Sequence, residues 1–169
     1  MLSLDLGRLG LEGSVSVEAR IPADAPLWDK SGIEWVGPVD VRLTASHAGT
    51  GEMVVRGAVE GVLAQVCRRC LEPVARSFEQ AVTLVFVASD TPGFEADDGT
   101  YAFDEGSDFD MSSAVREELI LAIDQYVVCD PDCRGLCPQC GVNWNTDSCT
   151  CTENAVDPRW ETLRALKNK

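Results

Sequence analysis

Six of the chain's eight cysteines fall between positions 129 and 151, in the run C-D-P-D-C-R-G-L-C-P-Q-C-G-V-N-W-N-T-D-S-C-T-C. Thiols at that density, interleaved with Pro131, Gly135, Pro138 and Gly141, match neither the period of a helix nor that of a strand. Such a stretch takes its order from cross-links or from a metal. Within it, Cys137-Pro138-Gln139-Cys140-Gly141 has the spacing by which a tight turn aims two thiolates at one ion. Gly141 supplies the positive φ that the backbone needs after the second thiolate.

Spacing alone leaves open which thiols complete that site. Cys149 and Cys151 lie close behind, although a single intervening residue is tight for one ion. Cys129 and Cys133 are the rival pair, and Cys67 and Cys70 form a separate C-x-x-C far upstream. Eight thiols suffice for two four-cysteine sites, or for one site with thiols to spare. Cys67 and Cys70 read most simply as half-buried core thiols, but their spacing in a tight turn favours a metal or redox role. A redox motif expects a βαβ context, which the flanking sequence lacks. The spacings also miss the usual iron–sulfur runs. The expected cofactor is therefore zinc, as one or two structural ions.

The first ten residues, M-L-S-L-D-L-G-R-L-G, carry an early Asp5 and no basic start, and no apolar run approaches the ~18 residues of a membrane helix. The expectation is a cytoplasmic protein whose thiols stay reduced, where metal is favoured over a disulfide framework. With 28 acidic and 14 basic residues the net charge is −14, and each ion held by four thiolates adds about −2. Nucleic acid repels such a chain unless its few bases gather on one face; a basic partner suits it better. Arg68, Arg69 and Arg76 cluster at the first cysteine pair, Arg134 lies inside the dense stretch, and Arg159, Arg164, Lys167 and Lys169 end the chain. A metal joining the two cysteine regions would make these bases one pole, with Arg68, Arg69, Arg134 and Arg159 as contacts to a partner or RNA. Otherwise they only balance local acids.

The rest of the chain reads as strands with one strong helix. Leu2 to Leu11 alternates and predicts a short strand, as does the run from Val15 to Ile21; Ile33 to Val36 predicts another. From Pro38, Val39, Val41, Leu43 and Ala45 share one face, and after Gly49-Thr50-Gly51 the alternation returns through Met53, Val55, Val59 and Leu63. That pattern is a half-buried antiparallel hairpin, and Gly57 and Gly61 in its return strand predict a bulge or bend. A third run, Val74 to Phe86, follows the first cysteine pair. Residues 89–110 are rich in Asp and Glu and broken by Pro92, Gly93, Gly99 and Gly106, which predicts an acidic, solvated loop. Its alternative role is a docking strip or nucleic-acid mimic. Asp110 predicts the N-cap of a helix over 111–123, whose stripe of Val115, Leu119, Ala122 and Ile123 packs on the sheet. Asp157-Pro158 opens a short C-terminal helix carrying Trp160, Leu163 and Leu166.

The fold class so predicted is α+β: a curved, hairpin-rich, barrel-like antiparallel sheet with one packed helix, then a Cys-rich zinc knuckle and a short C-terminal helix. The predicted division is a β-rich domain over 1–126 and a metal knuckle with its helix over 127–169. Catalysis has little to stand on. His47, the sole histidine, lies in register with the apolar face at the hairpin end, and there is no P-loop, dinucleotide fingerprint or nucleophile elbow. Arginines beside the thiols would lower a cysteine pKa, but eight thiols fit ligation better than a single nucleophile. The runner-up is a thiol-based redox or metal-responsive enzyme or sensor using Cys67 and Cys70.

C-R-R-C-L-E-P-V (67–74), L-I-L-A-I (119–123), C-x-x-x-C-x-G-L-C-P-x-C-G (129–141) and D-P-R-W-x-x-L (157–163) together resemble the YceD family, a bacterial and plastid group; D-L-G-R-x-G (5–10) fits as well. The resemblance implies a non-catalytic cytosolic protein needed for accumulation of 23S rRNA. It also implies partners among large-subunit components, the basic ribosomal protein L32, 23S rRNA, or both, since the family is commonly encoded beside L32. The functional expectation is thus an acidic assembly factor with a zinc-pinned tail.

Overall fold

The alternation that begins at Pro38 folds into an antiparallel hairpin, and a larger sheet grows around it. The computed structural model describes residues 2–48, 51–91, 99–104 and 108–151. In chain order the elements are β1 (Ser3–Asp5), α1 (Leu6–Glu12), β2 (Ser14–Ile21), a 3-10 turn (Pro26–Trp28), β3 (Val39–His47), β4 (Met53–Val66), β5 (Pro73–Ala88), β6 (Thr100–Phe103), β7 (Asp108–Asp110) and α2 (Ser112–Ala122). Five strands form one sheet in the order β2-β3-β4-β5-β6, antiparallel except for the parallel β5–β6 pair; β1 and β7 pair separately. The architecture is α+β, as expected. The sheet has open edges at β2 and β6 and is not a closed barrel.

One sheet face makes the core. Val39, Val41, Leu43 and Ala45 of β3 meet Met53, Val55, Val59 and Leu63 of β4 and Val82, Leu84 and Phe86 of β5, all buried. Leu2, Leu4 and Leu9 pack into the same cluster with Met111, Val115 and Leu119, the Met111 amide donating to the Leu2 carbonyl at 3.0 Å. Each such side chain contributes roughly 1.5–3 kcal/mol on burial. The opposite face carries the polar half of the alternation, exposed or half-buried.

Several local expectations change. The N-terminal run does not continue as one strand to Leu11. Asp5 accepts a hydrogen bond from the Arg8 amide at 2.9 Å, and Gly13 at φ 77 closes the turn, so Leu6–Glu12 winds into α1. A strong N-cap has overridden apparent alternation. Residues 33–36 make only an isolated bridge, Trp35 to Leu63. The glycines of β4 make no bulge, since the register with β5 runs unbroken through both. They permit close approach instead: a Cβ on Gly57 would lie 1.9 Å from the Arg42 carbonyl oxygen, and one on Gly61 would meet the Trp35 ring at 2.8 Å. The acidic segment is not wholly a loop, for β6 and β7 fall within 89–110; residues 92–98 and 105–107 lie outside the described residues. The cap residue of α2 is Met111, but Asp110 still accepts from the amide and hydroxyl of Ser112, at 3.0 and 2.6 Å. The expected C-terminal helix, with Arg159, lies outside the described residues. Among those described, no helix is long and apolar enough to cross a membrane.

Candidate metal centres

The turn from β4 into β5 and the turn at 137–142 are the same structure built from different residues. In the first, the Cys67 amide donates to the Glu72 carbonyl at 2.9 Å and the Leu71 amide to the Cys67 carbonyl at 2.9 Å. In the second, the Cys137 amide donates to the Val142 carbonyl at 2.8 Å and the Gly141 amide to the Cys137 carbonyl at 2.9 Å. Each loop therefore points its two thiols to one side and ends on a left-handed residue, Leu71 at φ 61 and Gly141 at φ 75. Backbone hydrogen bonds fix both pairs before any ion is considered.

Each turn receives a second pair from the chain. Arg68 donates its amide to the Val127 carbonyl at 2.9 Å, which brings the segment after α2 against the first turn. Asp130 then accepts from the Asp132 amide at 2.7 Å through its carboxylate and from the Cys133 amide at 3.0 Å through its carbonyl, a bend that returns Cys133 towards Cys67. The result is a quartet of Cys67, Cys70, Cys129 and Cys133, and a second of Cys137, Cys140, Cys149 and Cys151, each with its four sulfurs within 4.8 Å of one another. The pairing that spacing left open is thereby resolved: Cys129 and Cys133 join Cys67 and Cys70, not Cys137 and Cys140.

The donor set suits a metal. In the first quartet Cys67 and Cys133 sulfurs are 3.8 Å apart and those of Cys70 and Cys129 3.5 Å. A tetrahedron of ~2.3 Å zinc–sulfur bonds has edges of about 3.8 Å, whereas a disulfide needs ~2.0 Å. All eight cysteines are free thiols. The first quartet is the more enclosed, with only Cys129 exposed; in the second only Cys137 is buried.

Electrostatics divide each quartet in the same way. Burial pushes the Cys67 thiol up, but the backbone amides of Cys70, Cys129 and Arg69 outweigh it and bring the thiol down to about 6. The amides of Cys140 and Gln139 bring Cys137 to about 6 as well. Cys129, hydrogen-bonded to the sulfurs of Cys133 and Cys70, is pushed up to about 12, and Cys151, hydrogen-bonded to Cys140, also to about 12. Four adjacent sulfurs do not all ionise without a cation among them.

A polar seam joins the two quartets. The Arg69 guanidinium donates to the carbonyls of Pro131 and Cys133 at 3.1 and 2.9 Å, while the Arg69 carbonyl accepts from the Leu136 amide at 3.1 Å. Gly135, at φ 75, passes so close that a Cβ would lie 2.9 Å from that carbonyl oxygen. Asn145 accepts from the Arg134 amide at 2.8 Å and donates to the Cys133 sulfur at 3.4 Å, so a residue of the second loop touches a thiol of the first. Arg68 donates to the Gln125 carbonyl at 3.3 Å and lies over the Tyr126 ring at 4.2 Å. Of the arginines read from sequence as a basic pole, Arg68 and Arg69 brace the fold through carbonyls while staying exposed, as Arg134 is. Sequence reasoning does not find Asn145, whose role depends on a partner loop, or Leu71, where a leucine stands at a left-handed position that favours glycine.

A family model described as large ribosomal RNA subunit accumulation protein YceD matches residues 55–167. Among curated proteins, an uncharacterized protein of Mycobacterium tuberculosis is 29% identical, over 96% of this chain and 79% of its own length. The large ribosomal RNA subunit accumulation protein YCED homolog 1, chloroplastic, of Zea mays is 28% identical over 89% of this chain and 63% of its own length. The uncharacterized protein YlbN of Bacillus subtilis is 30% identical over 64% of this chain and 62% of its own. No solved structure matches the chain.

Proposed function

The chain belongs to the YceD family, and from that membership we propose that it is a non-catalytic factor supporting 23S rRNA accumulation and large-subunit assembly. The family match carries this reading, and the maize relative's name supports it. The direct partner is a basic ribosomal protein of the L32 kind. Charge supports protein over RNA: the chain is −14 overall, Arg8, Arg20 and Arg42 are ion-paired, and Arg68 and Arg69 are engaged within the fold. Of the contact residues read from sequence, Arg68, Arg69 and Arg134 are all exposed, the first two with guanidinium groups that also bond carbonyls, and Arg159 lies outside the described residues.

Both quartets hold structural zinc in this reading, and the ion supplies only a cross-link. Residues 1–126 act as the β-rich unit and 127–169 as its metal-bound extension, in the cytoplasm. All eight cysteines lie within the quartets, and that ligand geometry supports a structural metal over the redox reading of Cys67 and Cys70. The test is depletion of the protein in its host with both ribosomal RNAs quantified. The expected result is loss of 23S rRNA and of free and assembled large subunits, with 16S rRNA retained. Unchanged 23S rRNA contradicts the proposal.

A further inference from the structure

The sheet face turned away from the core carries an unusual row of charges. Cross-strand register aligns Arg20 with Asp40, Asp40 with Glu60, and Glu60 with Glu79, across four strands. Like charges directly opposite each other on a sheet are destabilising, and here three carboxylates follow one guanidinium. Arg20 pairs with Asp40 at 3.8 Å and Arg42 with Glu60. Glu79 has no such partner among the described residues.

Apolar surface lies beside this row. A depression of about 520 Å³ is lined by Val36, Pro38 and Val62 together with Asp40, Glu60 and Glu79, and by Arg20, which is paired to Asp40. The Val36 amide donates to the Val62 carbonyl at 2.8 Å, so the two side chains are neighbours, and they are 58% and 39% exposed. Further along β4, Val66 shares the face of Val62, and Leu71 follows in the turn; they are 54% and 63% exposed. Opposite this stretch of β4, on β5, stand the uncharged Ser77, Ala75 and Pro73. These four account for most of the exposed large hydrophobics among the described residues. Exposed apolar side chains beside a charged rim, as Val36 and Val62 are here, mark an interaction site.

We propose that this strip and its acid-rimmed depression dock a basic segment of a protein partner, with an apolar side chain against Val36 and Val62 and a lysine or arginine between Glu60 and Glu79. The proposal rests on the assembly-factor reading and gives it a surface. Charge complementarity selects the occupant. A cation at Glu79 relieves the repulsion along the row, phosphates meet three carboxylates there, and a second copy brings the same acids face to face.

The test uses the full zinc-loaded chain with acid-extracted proteins of purified large subunits and a zero-length carbodiimide crosslinker. Crosslinks from Asp40, Glu60 and Glu79 to lysines of one basic protein are expected, and Val62→Asp and Glu79→Lys each weaken its Kd roughly tenfold or more. Both positions are exposed, and unchanged melting and metal content verify that the variants fold. Crosslinks elsewhere, with both variants binding as wild type, overturn the surface while the assembly reading stands. Failure of any large-subunit protein to bind overturns the surface and removes the protein partner, leaving 23S rRNA loss on depletion to judge the broader function. Crosslinks from Glu79 to Lys167 or Lys169 in the free chain, or self-association lost in Val62→Asp, assign the strip to another occupant and overturn the proposal.

Discussion

At the scale of single residues, Leu71 and Gly141 occupy equivalent places in two turns with the same hydrogen-bond pattern, and only one is suited to its backbone. The left-handed region costs a side-chain-bearing residue about 1–2 kcal/mol. Leu71 sits there at φ 61 and is largely exposed, so it gains little from packing. Leu71→Gly is expected to raise stability by up to about 1 kcal/mol, once the extra freedom of glycine in the unfolded chain is deducted. Gly141→Leu is expected to lower it by about as much as that region costs; paired denaturant melts read both. Arg69→Ala removes two charge-assisted bonds to carbonyls and is expected to cost roughly 1.5–3 kcal/mol. Arg69→Lys rescues it only in part, since one ammonium does not reproduce the guanidinium fork. The thiols give a pH dependence. Cys129 and Cys151, pushed up to about 12, hold protons at neutral pH in a metal-free quartet. A metal displaces those protons, so affinity falls as pH falls. Chelator titrations from about pH 8 to about pH 6 check this, with weaker retention expected at the acid end.

At the scale of elements, the β3–β4–β5 register depends on two places where no side chain fits. Gly57→Ala is expected to be among the most damaging small substitutions in the sheet, because its Cβ would sit against the Arg42 carbonyl. A cost above about 3 kcal/mol, or insoluble protein, is the expected outcome. The sequence signalled that these glycines mattered but not how, since close approach of a neighbouring strand is invisible to alternation. The long strands were legible because one face is buried along most of their length. α1 was not, because Leu2 and Leu4 alternate until Asp5 caps a helix whose only buried residue is Leu9. The eight ligand candidates were legible as cysteines, and Cys137 with Cys140 as a turn. Their grouping was not, because it rests on the Arg68–Val127 hydrogen bond, which brings together segments 59 residues apart in the chain.

At the scale of the whole molecule, two quartets unequal in exposure fasten the segment after α2 to the far end of the β4–β5 hairpin. The first closes a contact between the sheet and residues 129–133, whereas the second is local to 137–151. Loss of the first is therefore expected to loosen the hairpin end and the second turn together, while loss of the second leaves the sheet intact. In Cys133→Ser, hydrogen exchange is expected to rise in 63–76 as well as 127–145; in Cys151→Ser only the local loop responds. Native mass spectrometry of the zinc-supplied chain tests the central claim most directly. The wild type is predicted to carry two divalent ions with all eight thiols shielded from alkylation, and Cys151→Ser to retain one ion with an unaltered sheet. A single ion shared by thiols of both quartets, or disulfides in place of metal, contradicts the account.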